Sequence, residues 1–525
     1  MRIPRTDTQP SRAPAMRFRA AVPALVLGAF MLGCQADTNV TDPNQPSTGT
    51  FWTSANGAIQ GINATYNSLI RLGTFQRWQA FSYDIRSDEG FSPSPWTDLQ
   101  NFNKFTFVTY DFDVNRDTWY ETYLGIFRAN QVIANVPGID MDPALRARIV
   151  GEAKFIRALY YFHLVTLYGG NIPLQLTPSA PTDQPASAGD AAVWAQIETD
   201  LKDAIPVLPA SYTGADIGRA TSGAAQALLG KVLLQERKWS EAAAQLQPVI
   251  QSGRYSLAAD YASNFTPAGK NNQESLFEVQ FGNPDLAGSQ AIYGLNIAKM
   301  VGACGPSYCD GRPTRWFFNQ FFPDTTNRAV YDPRLNATIF WNHPGETVYG
   351  EPFVNPSRGR NPNDVFFKKY GEYWNTNGDQ NWDASLNFKV LRYADVLLMY
   401  AEALNEQGQP ATAVTYVNQV RQRPSVNLTP LPATLSQAQM RDAILHERLV
   451  EFGLESQRWL DLSRQNLLSA VVPTDDGTPE CAARPQKAAG CDAEFKFFVK
   501  GKTELLPIPQ AEVDNNPNVH QNPNW

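Results

Sequence analysis

The stretch from Ala147 to Tyr168 constrains the fold most tightly. Ile149, Ala153, Ile156, Tyr160, His163 and Leu167 recur at steps of three and four, and Phe155, Leu159 and Phe162 form a second stripe beside them. An apolar arc that wide at helical period requires a helix buried on two sides, as in a stacked helical array. Gly169-Gly170 stops the helix and Pro173 prevents its resumption. His163, inside the apolar stripe, reads as a core residue rather than a ligand.

Two helical hairpins follow. The first joins Gly223–Glu236 to Glu241–Gln251 through Arg237-Lys238-Trp239, with Ser240 as a candidate N-cap. The small residues Ala224, Ala227 and Gly230 let its two helices approach closely. The second joins Tyr393–Gln407 to Ala411–Arg421, broken at Gly408 with Pro410 near the second start. Each has the length of a tetratricopeptide (TPR) unit, about 34 residues. The long stretch between them differs in character, which argues against a plain solenoid. Further helices are expected over about 51–72, 117–136 and 191–205, the hairpins lying within 223–251 and 391–423. A closing segment, 437–525, opens with helices over Gln437–Phe452 and Glu455–Leu468, broken at Gly453. Residues 75–115 and 285–385 interleave Trp and Phe with Pro, Gly, Asn and Asp, and long irregular segments of that kind usually bind something. The expected class is mostly α: one domain over 51–525, a helical scaffold from which aromatic loops project.

The N-terminus reads as an address. Arg17 and Arg19 precede an apolar run, Ala20 to Leu32, that ends in Met31-Leu32-Gly33-Cys34. About 13 apolar residues suit a signal peptide and are too few to span a bilayer. A small residue followed at once by Cys resembles a lipobox, with cleavage before a lipid-modified Cys34; an ordinary secretory signal with a chance Cys is the competing reading. Residues 1–33 are then the signal peptide and 34–50 a lipidated tether, and several acyl chains together anchor stably where one alone does not. Met16 opens a more typical signal than Met1, which makes residues 1–15 a candidate for an over-extended start. Export favours disulfides. Cys304, Cys309, Cys481 and Cys491 permit three pairings, of which Cys304–Cys309 with Cys481–Cys491 is the most economical; a metal site is the rival, but none of the four histidines lies beside them. A net charge of -7, with no Lys/Arg run beyond the N-terminus, argues against nucleic acid.

At this point the residues resemble a known family. Gly151-Glu152-Ala153-Lys154-Phe155-Ile156-Arg157-Ala158-Leu159-Tyr160-Tyr161-Phe162, through Leu167-Tyr168-Gly169-Gly170 and Ile172-Pro173-Leu174, is similar to the hallmark of SusD/RagB-like proteins. Arg392-Tyr393-Ala394-Asp395-Val396 to Tyr400-Ala401-Glu402-Ala403 looks like the family's fourth TPR helix. Glu447-Arg448, Glu451-Phe452 and Gln457-Arg458-Trp459-Leu460-Asp461-Leu462 resemble the next block, and Leu505-Leu506-Pro507-Ile508-Pro509 with Asn516-Pro517-Asn518 and Gln521-Asn522-Pro523 resemble the closing one. With the lipobox these blocks span nearly the whole mature chain. The resemblance implies four TPR-like helical pairs supporting a variable loop region. It implies an outer-membrane lipoprotein at the cell surface, without cofactor or metal, that captures a glycan. The partner implied is a SusC-like TonB-dependent barrel transporter, on which the lipoprotein sits as a lid. Some members of the family serve peptide uptake, and the loops match no one member closely enough to carry over a substrate.

The charged block Glu447, Arg448, Glu451, Glu455, Arg458, Asp461 and Arg464 could pass for an acid/base site. Its spacing, with Arg448/Glu451, Glu455/Arg458 and Asp461/Arg464 at i, i+3, instead predicts local ion pairs. Glu152 and Arg157 are expected to pair with neighbouring helices. The loops hold the binding candidates. A pyranose ring presents a C–H face that stacks on Trp or Tyr, while its hydroxyls need planar polar partners. Arg86, Asp88 and Trp96 supply both kinds within one segment, and the corresponding loop of SusD-like glycan binders contributes a stacking Trp. Tyr308, Arg312 and Trp341 are the candidates in the second loop. Trp78, Trp119, Trp194, Trp239 and Trp459 are expected in the core. GxSxG, HExxH, Walker and GxGxxG signatures are absent from the sequence. Asp111-Phe112-Asp113-Val114-Asn115 begins like a calcium loop but lacks its Gly and terminal Glu, and reads as a turn. Two rival readings stay open: a secreted glycoside hydrolase, which needs two carboxylates across a cleft, and a TPR scaffold whose only ligands are proteins.

Overall fold

The computed structural model describes residues 48–525 except 181, 283–293, 325–330, 375, 377–378, 381, 383 and 472–496. Cys34, Cys481, Cys491 and the signal segment lie outside the described residues. Trp52–Trp525 is one compact unit, and the fold below is that of this unit.

The helix expected around Ala147–Tyr168 runs from Pro143 to Tyr168, with Asp142 capping it through the Leu145 amide and Pro143 in its first turn. It packs chiefly against the helices Ala55–Asn67, Asp113–Asn135 and Asp190–Ala204, and also touches Ser222–Gln235. That surround explains its double apolar stripe. Gly169 ends it at φ +69°, and Gly170 lies so close to the next helix that a Cβ would stand 2.0 Å from the Asp190 amide nitrogen. The same two residues therefore stop one helix and seat the start of another. Ser222–Gln235 then turns through Arg237, at φ +61°, into Trp239–Gln251. A Cβ on Gly230 would meet Leu246 at 2.5 Å, the close approach expected from the small residues. The cap before Trp239 is Lys238 rather than Ser240, because the helix starts earlier than its pattern suggests.

The second hairpin, Tyr393–Glu406 with Pro410–Arg421, lies against Trp239–Gln251, so hairpins far apart in sequence are neighbours in space. Gln437–Phe452 follows, opened by a reciprocal Ser436/Gln439 capping box, and then come the shorter helices Arg458–Arg464, Leu468–Val471 and Gln510–Asn515. Asp111–Asn115 is a helix start rather than a turn: Asn115 donates to the Tyr110 and Pro507 carbonyls and accepts from the Tyr168 hydroxyl. The expected loop regions contain short ordered pieces. Trp78–Asp84 and Thr97–Lys104 are helical. Gly90–Phe91 pairs antiparallel with Arg312–Pro313, Ile339–Trp341 with Val365–Phe367, and Ser275–Val279 with Phe388–Arg392. Trp78, Trp119 and Trp459 are buried, and Trp194 and Trp239 are partly buried against the same core. His163 packs edge-on to Phe75 and Phe162, with the Tyr83 hydroxyl 3.0 Å from Nδ1. Burial, with Lys231 nearby, drives its pKa down to about 3, so the imidazole stays neutral.

The charged block is structural, but its pairing is not local. Only Asp461–Arg464 pairs at i, i+3. Glu451 instead meets Arg392 at 2.5 Å, Arg423 at 2.7 Å and Arg334 at 2.7 Å. Glu455 takes Lys369 and Arg392, Arg458 takes Asp88, and Arg448 bridges Asp395 and Asp461. These groups sit inside, where helix neighbours one turn apart are too few to satisfy a guanidinium, so partners come from other elements. Arg157 forms a two-pronged pair with Asp200 on a neighbouring helix, as expected, whereas Glu152 pairs with Arg219 in the loop before the Ser222 helix and with Arg148 on its own helix. Burial alone would raise the Glu451 carboxyl. Arg423, Arg392 and Arg334 together outweigh burial and hold it well below the ordinary carboxylate range.

Asp84 and Glu89 behave oppositely. Both carboxyls are fully buried and close enough to act on each other, and they accept the amides of Ser456 and Leu454, two residues in left-handed backbone. Burial pushes Asp84 up to about 7, and burial together with Asp84 pushes Glu89 well above its usual value. Asp88, Glu455 and Lys369 also face the pair.

Two outcomes follow. Glu451→Ala leaves three buried guanidiniums short of a partner and lowers stability by about 3–5 kcal/mol in chemical denaturation. For Asp84 the folded pKa exceeds the unfolded one, so its contribution is full below about pH 4 and drains as pH rises through about 7. Asp84→Asn, which cannot ionise, gains on the parent protein by on the order of a few kcal/mol between pH 5 and 8, read as the difference between the two melting profiles.

Candidate functional site

The two long loops converge where the segment after Asp84 meets the segment before Arg312. Their shared strand pair sets Phe91 opposite Arg312. Beyond it the chain folds back on itself: the Ser92 amide donates to Asn103 Oδ1, and Asn103 Nδ2 donates to the Ile85 carbonyl at 2.7 Å. Ser92 Oγ donates to the Asp310 carbonyl at 2.6 Å, which ties one loop to the other. The Trp96 amide donates to Ser94 Oγ, and Trp96 itself precedes the helix Thr97–Lys104.

Trp96 packs on Trp78 with ring centres 5.6 Å apart. Arg77, the residue before the helix Trp78–Asp84, lays its guanidinium 4.8 Å from the Trp78 ring centre and 4.6 Å from that of Trp382. Trp382 in turn lies 5.4 Å from Tyr308. The result is a row of Trp96, Trp78, Arg77, Trp382 and Tyr308, in which Trp78 is buried, Trp96, Arg77 and Trp382 are half-buried and Tyr308 is 55% exposed. Asp310 stands beside it. Burial raises its carboxyl, while Ser94 and Arg77 pull it back.

Tyr308 is presented by the short loop that the Cys304–Cys309 disulfide closes. Lys299 braces that loop: its backbone carbonyl accepts from the Tyr308 amide, and its ammonium donates to the Pro306 carbonyl and pairs with Asp379. Cys309 is in left-handed backbone at φ +51°. The local pairing expected for these two cysteines is the one observed.

Of the sequence candidates, the structure brings together Trp96 and Tyr308. Arg86 and Asp88 are corrected: both are 0% exposed. Arg86 donates to the Thr503 carbonyl and lies 4.2 Å from the Trp459 ring centre, and Asp88 forms a two-pronged pair with Arg458. Their charges hold the loop onto the closing helices. Arg312 also turns inward, with Nη2 2.9 Å from Cys304 Sγ and its guanidinium over Phe366, so it supports the disulfide from below. Trp341 joins a different aromatic group, with Phe318, Phe322, Tyr331 and His343, and its indole donates to Asn336. Sequence reasoning missed Arg77, Asp310 and Trp382. The Arg77-Trp78 dipeptide and the Trp-rich end of the second loop were the available signals, but neither says that residues 77 and 382 meet.

A helical frame carrying an irregular, ring-lined surface is the architecture of a scaffold that presents loops rather than of a plain helical repeat. The family comparisons agree. A profile described as the SusD family matches residues 273–525, and one described as starch-binding, associating with the outer membrane, matches residues 44–234. The chain belongs to the SusD family. It is 28% identical over 434 residues to a SusD-like protein of Formosa agariphila, spanning 76% of this chain and 77% of that one. A SusD superfamily protein from Bacteroides vulgatus superposes with a TM-score of 0.76 at 26% identity, covering 91% of this chain and all of the other. A laminarin-binding SusD-like protein superposes with a TM-score of 0.72 at 27% identity, covering 90% of this chain and all of the other.

Opening the disulfide tests how Tyr308 is held. The double variant Cys304→Ser, Cys309→Ser loses about 2 kcal/mol of stability, the figure chain entropy assigns to so short a loop. Its near-UV circular dichroism changes as Tyr308 leaves Trp382; an unchanged spectrum would mean the loop is held without the bond.

Proposed function

We propose that this protein captures a glycan at the cell surface, without cleaving it, and delivers it to a SusC-like TonB-dependent barrel transporter in the outer membrane. The observation that carries this reading is the row of rings from Trp96 to Tyr308. Half-exposed aromatic faces suit the C–H faces of successive pyranose rings, and the guanidinium of Arg77 and the carboxylate of Asp310 alongside suit hydroxyls. Family membership supports the same reading, as does the outer-membrane association in the description of one matching profile. So does the laminarin bound by one relative. Trp96 and Tyr308 are the ligand contacts in this reading, Arg77 and Trp382 join them, and Trp341, in its separate aromatic group, is a further candidate contact.

Anchorage in this reading comes from acyl chains on Cys34, with residues 34–50 as tether. Among the described residues no helix is long and apolar enough to cross a membrane, so a lipid anchor is the device the reading uses. The barrel partner rests on the family resemblance.

Titration of the soluble form, starting after Cys34, against a panel of oligosaccharides tests the proposal. Binding without product release is expected, and Trp96→Ala weakens it by about tenfold or more. Release of shortened glycan would make the protein a hydrolase. Failure of every glycan, with a peptide bound instead, would move it to the peptide-uptake reading.

A further inference from the structure

Arg77 differs both from the arginines of the buried charge lattice and from Arg86, which has no carboxylate partner but donates to the Ser82 and Thr503 carbonyls. Arg334, Arg392, Arg423, Arg448 and Arg464 each meet two or more carboxylates. The Arg77 guanidinium makes no hydrogen bond and no ion pair with any described residue, and its Nε is buried without an acceptor. Its company is two indole rings. Aromatic faces attract a cation but offer no acceptor for the N–H groups at its edge. Asp117 and Asp310 act on it through space, yet neither pairs with it: Asp117 is bonded to Arg116 and Asp310 to Ser94. Burial lowers its pKa to about 10, a sign that the charge is held at a cost.

A neutral sugar hydroxyl laid against this group supplies an acceptor and leaves the desolvated charge uncompensated. An oxyanion supplies both. The guanidinium edge is a planar fork that matches a carboxylate or sulfate with two parallel hydrogen bonds. The protein's own charge of -7 would repel a polyanion at range, so selection for one must come from a local cation of this kind.

We propose that Arg77 makes the site selective for glycans bearing a carboxylate or sulfate group, which seats on its guanidinium beside Trp78 and Trp382 while sugar faces stack on Trp96 and Tyr308. The inference rests on the glycan-capture reading and names the substrate class within it.

Calorimetric titration of the parent protein, Arg77→Gln, Arg77→Lys and Trp96→Ala against three probes tests it: oligogalacturonate for carboxylate, carrageenan oligosaccharides for sulfate, and neutral laminarin oligosaccharides. At least one charged probe should bind the parent about tenfold or more tighter than laminarin, with affinity falling as salt rises. Arg77→Gln should cost that probe about ten- to a hundredfold while laminarin changes little, and Arg77→Lys should retain part of the preference. Should Arg77→Gln fail to fold, the salt dependence of the parent with the charged and neutral probes decides the matter. A parent that prefers laminarin, or an Arg77→Gln that weakens all probes equally, overturns the selectivity and leaves glycan capture standing. A parent that binds no glycan overturns both.

Discussion

Everything the loops do depends on a buried lattice of charge centred on Glu451. Its carboxylate is shared by Arg334 from the irregular region, Arg392 from the strand before the Tyr393 helix, and Arg423 just past the end of that helix's hairpin. Glu274, Glu447 and Glu455 extend it to Arg421 and Lys369. Taking so many charges out of water is expensive, and only dense mutual pairing offsets it. The compensation works only when all the contributing segments are in place together. Residues separated by more than a hundred positions are thereby held to one geometry, which an apolar core, tolerant of sliding, would not impose.

From that centre the connection to the ring-lined face is short. Glu455 lies in the turn between two closing helices, and the amides of Leu454 and Ser456 in that turn are accepted by Glu89 and Asp84. Asp88 on the same segment grips Arg458. The loop bearing Trp96 is thus fastened at its root to the closing helices, while Ser92 and the strand pair Phe91–Arg312 fasten it to the loop bearing Tyr308. Rings on flexible chains would lose much of their stacking energy to ordering. Rings on loops braced at both ends start out ordered, which is the preorganisation that the proposed glycan capture needs.

Arg77 fits the same logic from the other side. The charge lattice satisfies its arginines with carboxylates and the buried Arg86 finds two backbone carbonyls, yet Arg77 is left between two indoles at the surface. Where the lattice arginines find carboxylates and Arg86 finds carbonyls, a guanidinium without an acceptor inside the ring-lined face fits the selectivity proposed for it.

Periodicity was enough to locate the frame. The helix of Ile149, Phe155 and Leu167, both hairpins, the Gly169-Gly170 stop and the core position of His163 follow from 3.6-residue spacing and backbone preference, which act over neighbouring residues and so are written locally. The disulfide of Cys304 and Cys309 was legible for the same reason. Partner choice was not. Glu451 lies three residues from Arg448 yet pairs with Arg334, Arg392 and Arg423, because burial makes a charge seek several partners and one helical turn offers few. Arg86 and Asp88 had the chemistry of a sugar site and ended in the core, while Trp382 and Arg77, 305 positions apart in the numbering, ended face to face. A side chain's composition says what it can bind; whether it meets ligand or protein depends on where the chain returns, and that is set by contacts between segments that carry no local record of each other.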